Sequence, residues 1–408
     1  MTLPAFIPGH QVRLLECGKA FFPALLQAID ASTSEVRLET YIFQFDASGE
    51  RVANALVRAA RRGVRVYLVM DGIGSPEVPH AWRQRFAHAG VVWHRFLPLG
   101  FFGLLVPTRW RRLHRKLCVV DARVAFCGGI NIVDDYWDPV HGMLDIARLD
   151  YALRVQGPLV ADVYQTMARF WRRLVVTRQI ERGEFQDALR DWEAEGAALR
   201  AGEALSAGRP APVRGEGRAR AALVLRDNVR NRTRIERAYR KAIGDAHHEV
   251  VIANAYFVPG GKLRRALVHA ARRGVRVRLL LQGRYEYFMQ YHAARPVIAA
   301  LLDAGVEIFE YRAGFLHAKV AVVDAHWATV GSSNLEPLSL LLAREANVVV
   351  EDAAFARELR SRLQQTLEQH CVALDAHTYA RSGWVQHLLD WAAYGLMRTL
   401  LFVTGRRY

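Results

Sequence analysis

His114-Arg-Lys116-Leu-Cys-Val-Val-Asp121, continuing through Gly128-Gly129-Ile-Asn131, returns in the second half of the chain as His317-Ala-Lys319-Val-Ala-Val-Val-Asp324, continuing through Gly331-Ser332-Ser333-Asn334. Each copy reads H-x-K-x4-D-x6-G-[GS]-x-N, and the two histidines are 203 residues apart. The repetition extends well beyond this phrase. The stretch from Ala55 to Val66 (Ala-Leu-Val-Arg-Ala-Ala-Arg-Arg-Gly-Val-Arg-Val) reappears almost unchanged from Ala266 to Val277. A repeat of this length means a duplicated domain and not a solenoid. Two half-sites in one chain predict a single site assembled from both, around a pseudo-twofold axis.

Composition sharpens the reading of the motif. The chain has only five lysines among its 56 basic residues, yet two of the five stand at the H-x-K positions. Indifferent choice of cation would give that coincidence about one time in a hundred. A compact ammonium suits a single phosphate oxygen where the planar guanidinium fork does not.

Each half shows strand, helix, strand in the same order. Val36 to Phe45, Ala53 to Arg62 and Val64 to Met70 match Glu249 to Phe257, Lys262 to Arg273 and Val275 to Leu281. This is the pattern of a βαβ unit, so the fold class is α/β, twice, with a largely parallel sheet in each half. Between the halves, Arg178 to Gly202 looks helical and charged, and Ser206 to Gly217 concentrates Gly, Pro and Arg as a linker would.

At 408 residues, 51% apolar and 24% charged, the chain is long enough for two cores and is not disordered in general. Its net charge of +16 predicts a polyanionic partner, either nucleic acid or an anionic membrane surface. Cys17, Cys118, Cys127 and Cys371 have no C-x-x-C spacing and read as free thiols in a reducing compartment. The first residues carry no basic, then apolar, signal-peptide pattern, and no stretch has the apolar length of a membrane-spanning helix.

The motif segments Leu113 to Val120 and Phe315 to Val323 have strand composition, and side chains two apart on a strand share a face. His114 with Lys116, and His317 with Lys319, therefore aim at one point. Asp121 and Asp324 follow their histidines by seven residues, an odd offset, so they face away and support the scaffold. Each opens a turn, and the returning strand brings Asn131 and Asn334 back beside the imidazoles. Two imidazoles, two ammoniums and two amides converging make a phosphate site. One imidazole attacks phosphorus while the other protonates the leaving oxygen, and no metal or other cofactor is required.

These residues resemble the phospholipase D superfamily, whose defining pattern is this HKD motif. The likeness is closest to the short bacterial cardiolipin synthases, through Ala253 to Gly260, His326 to Ser339 and Arg344 to Val350 as well. The resemblance implies a duplicated phospholipase D-like domain with two mixed, largely parallel sheets flanked by helices and the active site between the halves. It makes His114, Lys116, Asp121, His317, Lys319 and Asp324 the catalytic set. It also implies an acid after each motif that orients the histidine. Glu345, 28 residues past His317, fits that position, and Asp150, 36 past His114, is the first-half candidate. Asn131, Ser332 and Asn334 would bind or orient the phosphate. Gly129 stands where the superfamily commonly has serine, so the first half-site lacks a hydroxyl.

The expected organisation is an N-terminal domain over 1–204, a linker over 205–220, a C-terminal domain over 221–375 and an amphipathic tail over 376–408. Leu97 to Trp110 reads as a buried connector or a membrane-dipping lip, and Tyr285, Tyr287, Phe288 and Tyr291 as a matching aromatic rim or ordinary core. Trp384 to Val403 reads as a helix in the membrane interface or one docked on the core. Asp134, Asp135, Asp138, His141 and Asp145 could be drawn as a metal site, but they lack ligand spacing and read as a solvated loop.

The resemblance implies a cardiolipin synthase acting on phosphatidylglycerol through a phosphatidyl-histidine. The expected location is the cytoplasmic side of the inner membrane, as a peripheral protein. A hydrolytic phospholipase D and a nuclease of the same superfamily are the alternatives. The apolar segments speak against nucleic acid as the partner, and the oligomeric state is left open.

Overall fold

The computed structural model describes residues 4–98, 110–138, 141–181, 183–184, 217–227, 231–284, 288–336, 343–375, 392 and 395. In the first half, β1 (Ile7–Glu16) leads into α1 (Cys17–Asp30), then β2 (Glu35–Thr40), α2 (Ala47–Arg61), β3 (Arg65–Asp71), α3 (His80–Ala89) and β4 (Val92–Phe96). It continues with β5 (Arg112–Leu113), β6 (Lys116–Val120), β7 (Val124–Gly128), β8 (Trp137–Asp138), β9 (Gly142–Met143), β10 (Tyr151–Gln156) and α4 (Leu159–Glu181). The second half repeats the plan as β11 (Ala219–Arg226), α5 (Arg234–Gly244), β12 (Glu249–Asn254), α6 (Gly261–Arg272), β13 (Arg276–Gln282), α7 (Phe288–Leu302) and β14 (Glu307–Tyr311). It ends with β15 (Lys319–Val323), β16 (Trp327–Gly331), β17 (Ala343–Glu351), α8 (Ala353–His370) and β18 (Cys371–Ala373).

The repeated stretch folds alike in both copies for local reasons. The Asp46 carboxylate caps α2 by accepting from the Gly49 N–H at 2.8 Å, and Val52, Ala55, Leu56 and Ala59 recur on the buried face. After each helix, Gly63 and Gly274 both take φ of 87°, the left-handed turn that lets the chain reverse into the next strand.

The strand order across the sheet is β18-β14-β13-β12-β15-β16-β17-β11-β1-β10-β7-β6-β2-β3-β4. Read from either end, the copies mirror each other about the β11–β1 pair, with β18 an addition to one edge. The α/β reading holds, with two corrections. The halves do not form separate sheets: β1 meets β11 through Ile7↔Ala221 and His10↔Ala219, joining them into one. Nor is the sheet largely parallel. Apart from the short β5–β17 contact, parallel pairing is confined to β2-β3-β4 and β12-β13-β14, where helices provide the crossovers. The motif strands are hairpin-linked and antiparallel, because β6 turns directly into β7 and β15 into β16.

Most of the buried apolar side chains among the described residues fall in three layers. Outer cores under α1–α3 and α5–α7 each belong to one copy. Between them lies a core shared by both, in which Leu153 and Val155 from β10 join Val348 and Val350 from β17 and residues of α4 and α8. Each such side chain contributes roughly 1.5–3 kcal/mol on burial, so the shared core fixes one copy against the other.

β11 begins at Ala219, two residues inside the stretch expected as linker. Most of that linker, the Leu97 to Trp110 segment apart from its ends, and nearly all of the 376–408 tail lie outside the described residues, as do Tyr285 and Tyr287. Among the described residues, no helix is long and apolar enough to cross a membrane. All four cysteines are free; Cys118 and Cys127 are buried in β6 and β7, and Cys17 and Cys371 are half-buried.

Candidate active site

The spacing predicts the motif histidines within regular strands, and both stand just outside them. His114 sits in the break between β5 and β6, and His317 in the break between the Leu316–Leu149 bridge and β15. Each break exists because the opposite copy takes hold of the chain there. The His114 N–H donates to the carbonyl of Arg344 at 3.1 Å, and the His317 N–H to the carbonyl of Leu149 at 2.8 Å. Arg344 and Leu149 are the residues immediately before Glu345 and Asp150.

The acids then complete the clasp. His114 Nδ1 lies 2.9 Å from the Glu345 carboxylate, and His317 Nδ1 lies 2.6 Å from that of Asp150. Both expected acids are therefore in the site, but each serves the histidine of the other copy. The strand ladders establish their equivalence: Gly128 pairs with Ala152 as Gly331 pairs with Asn347, which sets Asp150 opposite Glu345 across the pseudo-axis. The longer spacing in the first copy is taken up by the β8–β9 hairpin.

With each Nδ1–H committed to a carboxylate, the free nitrogen of each ring is Nε2, the tautomer a nucleophile or proton carrier needs. Lys116 Nζ donates to the His114 carbonyl at 2.7 Å, and Lys319 Nζ donates likewise to the His317 carbonyl. Burial pushes the Lys116 ammonium down to about 7, with the Lys319 charge adding to the effect. Burial also lowers both imidazoles. Lys319 is among the charges that depress His114, and Lys116 and His114 are among those that depress His317, so the two half-sites share one electrostatic environment.

The acids differ in state. Burial raises Asp150 to about 7, whereas for Glu345 the His114 ring, Lys116 and the Ser332 hydroxyl outweigh burial and lower it. Ser332, wholly buried, donates to the second Glu345 oxygen at 2.5 Å; it orients the acid. At the equivalent Gly129, a Cβ would stand 2.3 Å from an Asp150 oxygen. The missing hydroxyl of the first half is thus the space that its acid occupies.

Asn131 is buried and its side-chain oxygen accepts from the Ile42 N–H at 3.1 Å, which fixes the amide beside the site. Asn334 is buried in the corresponding place. Sequence reading did not single out Tyr41. Its ring packs on the His114 imidazole with centroids 4.8 Å apart, and Lys116 Nζ stands 5.4 Å from its centre. Its position directly after β2, in line with the motif strand, was the available signal.

Asp121 and Asp324 are not in the site, as their odd offset predicts and against their inclusion in the catalytic set. Asp121 accepts from the N–H groups of Thr33, Ser34 and Glu35 and from both hydroxyls, and Asp324 from the N–H groups of His247, His248 and Glu249. They pin the far ends of the motif strands.

The loop acids Asp134, Asp135 and Asp138 are engaged locally. Asp134 accepts from Ser48, Asp135 from the Gly18 N–H, and Asp138 from Arg148. Among the described residues, no group of three or more such side chains is arranged to hold a metal ion.

The family description "Cardiolipin synthase, PLD-like domain" matches residues 25–167 and 239–367, the two copies with their motifs. The chain belongs to this cardiolipin synthase, PLD-like family. It is 39% identical over 376 residues to cardiolipin synthase B of Salmonella typhimurium, covering 92% of this chain and 85% of that protein. It is 38% identical over 377 residues to cardiolipin synthase B of Escherichia coli, with the same coverage. Among solved structures, phosphatidylserine synthase of Haemophilus influenzae superposes with a TM-score of 0.64 at 13% identity, covering 99% of this chain and 95% of that one. That likeness shows the fold. As a PLD-like family member, the chain is a phosphatidyltransferase, and phospholipids are its substrate class.

Proposed function

We propose that the chain makes cardiolipin by moving a phosphatidyl group from one phosphatidylglycerol to a hydroxyl of another. The observation that carries this is the crossed pairing, His114 with Glu345 and His317 with Asp150, which leaves two Nε2 atoms and two ammoniums in one buried site.

In the first step His114 Nε2 attacks phosphorus, and His317, which carries a proton on both ring nitrogens once the anionic phosphodiester is bound, gives the one on Nε2 to the departing glycerol oxygen. The P–N bond forms as the P–O bond breaks, and the products are a phosphatidyl-histidine and free glycerol. In the second step His317 takes the proton from the acceptor lipid's hydroxyl, whose oxygen displaces His114. Lys116 and Lys319 neutralise the nonbridging oxygens throughout, and Asn131 and Asn334 orient them. The choice of His114 as nucleophile rests on Glu345, the more acidic partner, which favours the positive ring that attack creates.

The protein would work as a peripheral protein on the cytoplasmic side of the inner membrane, where its +16 charge suits an anionic leaflet. Purified protein given phosphatidylglycerol vesicles should release glycerol and form a four-chain lipid, followed by chromatography of both products. Phosphatidic acid as the sole lipid product would make it a hydrolase, and His114→Ala or His317→Ala that still formed cardiolipin would remove that residue from the chemistry.

A further inference from the structure

Apart from β18 at one edge and the short β5, the described strands of the large sheet match in the two copies, and the copies differ in length between β7 and β10. Asn131 to Asp150 spans 19 residues where Asn334 to Glu345 spans 11, and the extra length includes the β8–β9 hairpin. Two strands of two residues each do not hold themselves together in water. This pair is braced by polar groups on its inner side: Arg148 reaches the Asp138 carboxylate at 3.0 Å and the Trp137 carbonyl at 3.1 Å. Leu144 N–H closes the hairpin on the Tyr136 carbonyl at 2.8 Å. Its foot stands on the segment that delivers one imidazole. His141 packs on Phe315 with ring centroids 4.9 Å apart, and the chain then runs through Leu149 and Asp150, which grip His317.

The outward face carries the opposite of what a solvated loop needs. Met143 is 76% exposed, Tyr136 49% and Ile146 44%. Ile73 and Trp110 are also exposed, in loops at this same end of the sheet. Large apolar groups gathered around a site mouth mark a contact surface. Charge favours an anionic partner on balance: Arg111 and Arg284 are exposed at this end against Asp145 on the hairpin segment, and the whole chain is strongly basic. Apolar tips among cations suit an anionic bilayer, with the tips below the headgroups and the arginines among the phosphates.

We propose that Tyr136, Met143 and Ile146, the exposed apolar side chains on and beside the β8–β9 pair, form a membrane-docking lip that seats the His317 side of the site on an anionic lipid surface. This rests on the phospholipid reading given above and extends it to how the substrate is reached. A lipid whose acyl chains stay in the bilayer can present its phosphodiester only to a site whose mouth touches that surface. The insertion in one copy makes the pseudo-symmetric site approach the membrane with a defined side.

Two measurements on the full chain test it. In the first, Met143→Cys carrying a polarity-sensitive fluorophore is mixed with vesicles of phosphatidylglycerol and phosphatidylcholine, with identically treated parent protein as background for Cys17 and Cys371. A blue shift with anionic vesicles is expected; a probe that stays water-like on vesicles that bind the protein overturns the proposal. In the second, Tyr136→Ser/Met143→Ser/Ile146→Ser is assayed on vesicles and on short-chain phosphatidylglycerol below its micelle concentration. Loss of about tenfold or more on vesicles, with turnover of the monomeric lipid unchanged, is expected. Equal loss on both would mean the hairpin only shapes the His317–Asp150 pair, and no loss on vesicles would mean it touches nothing; either overturns it. Should wild-type protein turn over neither lipid, the proposed function fails, while the fluorophore still reports on the lip.

Discussion

Gly129 and Ser332 occupy equivalent positions, and the difference between them is matched by the acids they face. Asp150 is one methylene shorter than Glu345 and moves into the volume a serine would fill, whereas Glu345 reaches past Ser332 and is held by its hydroxyl. Gly129→Ser should therefore push Asp150 off His317. A displacement of this size costs about a hundredfold in turnover, and Gly129→Ser/Asp150→Glu, which copies the arrangement of the other half, should recover most of it. Steady-state rates on phosphatidylglycerol check both, and full activity in the single variant would refute the packing argument. From the sequence alone Gly129 looked like a lost donor. Only the position of Asp150 shows it to be a fit, because a glycine's neighbour cannot be read from spacing.

The β6–β7 and β15–β16 hairpins depend on aspartates that never meet substrate. Asp121 and Ala122, like Asp324 and Ala325, take φ near +50°, which costs a residue with a side chain energy, and the carboxylates offset that by tying the turn to the start of β2 or β12. Removing the charge by Asp121→Asn should destabilise the fold by roughly 1–2 kcal/mol, a modest figure because the bonds are exposed. The sign with pH follows from the backbone N–H groups, which outweigh burial and hold Asp121 down to about 2, below the ordinary carboxylate range. A depressed acid stabilises above its unfolded value, near pH 4, and loses that effect as pH falls through about 2. Denaturant unfolding of the two proteins should show a gap at neutral pH that closes on acidification; a gap independent of pH would exclude the charged carboxylate as its source. At this scale the sequence was informative: the odd offset of the aspartates and the βαβ periodicity survive in the structure. The antiparallel centre was less legible, since apolar runs in buried strands look alike whichever way their neighbours run.

For the molecule as a whole, the crossed pairs were the least visible feature. Glu345 and Asp150 could be found by counting from the nearest histidine, yet each works on the more distant one, because it is the shared core, built from both copies, that decides which groups meet. Kinetic coupling should follow space and not sequence. His114→Ala/Glu345→Ala should be little worse than His114→Ala alone, since the acid acts through that ring, and Asp150→Ala should be equally silent in a His317→Ala background. Losses that instead multiplied within these pairs, measured in single turnovers, would mean that each acid acts independently of the ring it touches.

Exchange of partners between the copies also constrains how such a chain can change over time. Neither copy can be trimmed, silenced or replaced by a cousin without disarming the other's imidazole, so inheritance must keep both together as one unit. Freedom to diverge remains at the periphery, and the longer stretch between Asn131 and Asp150 in one copy shows where that freedom has been used.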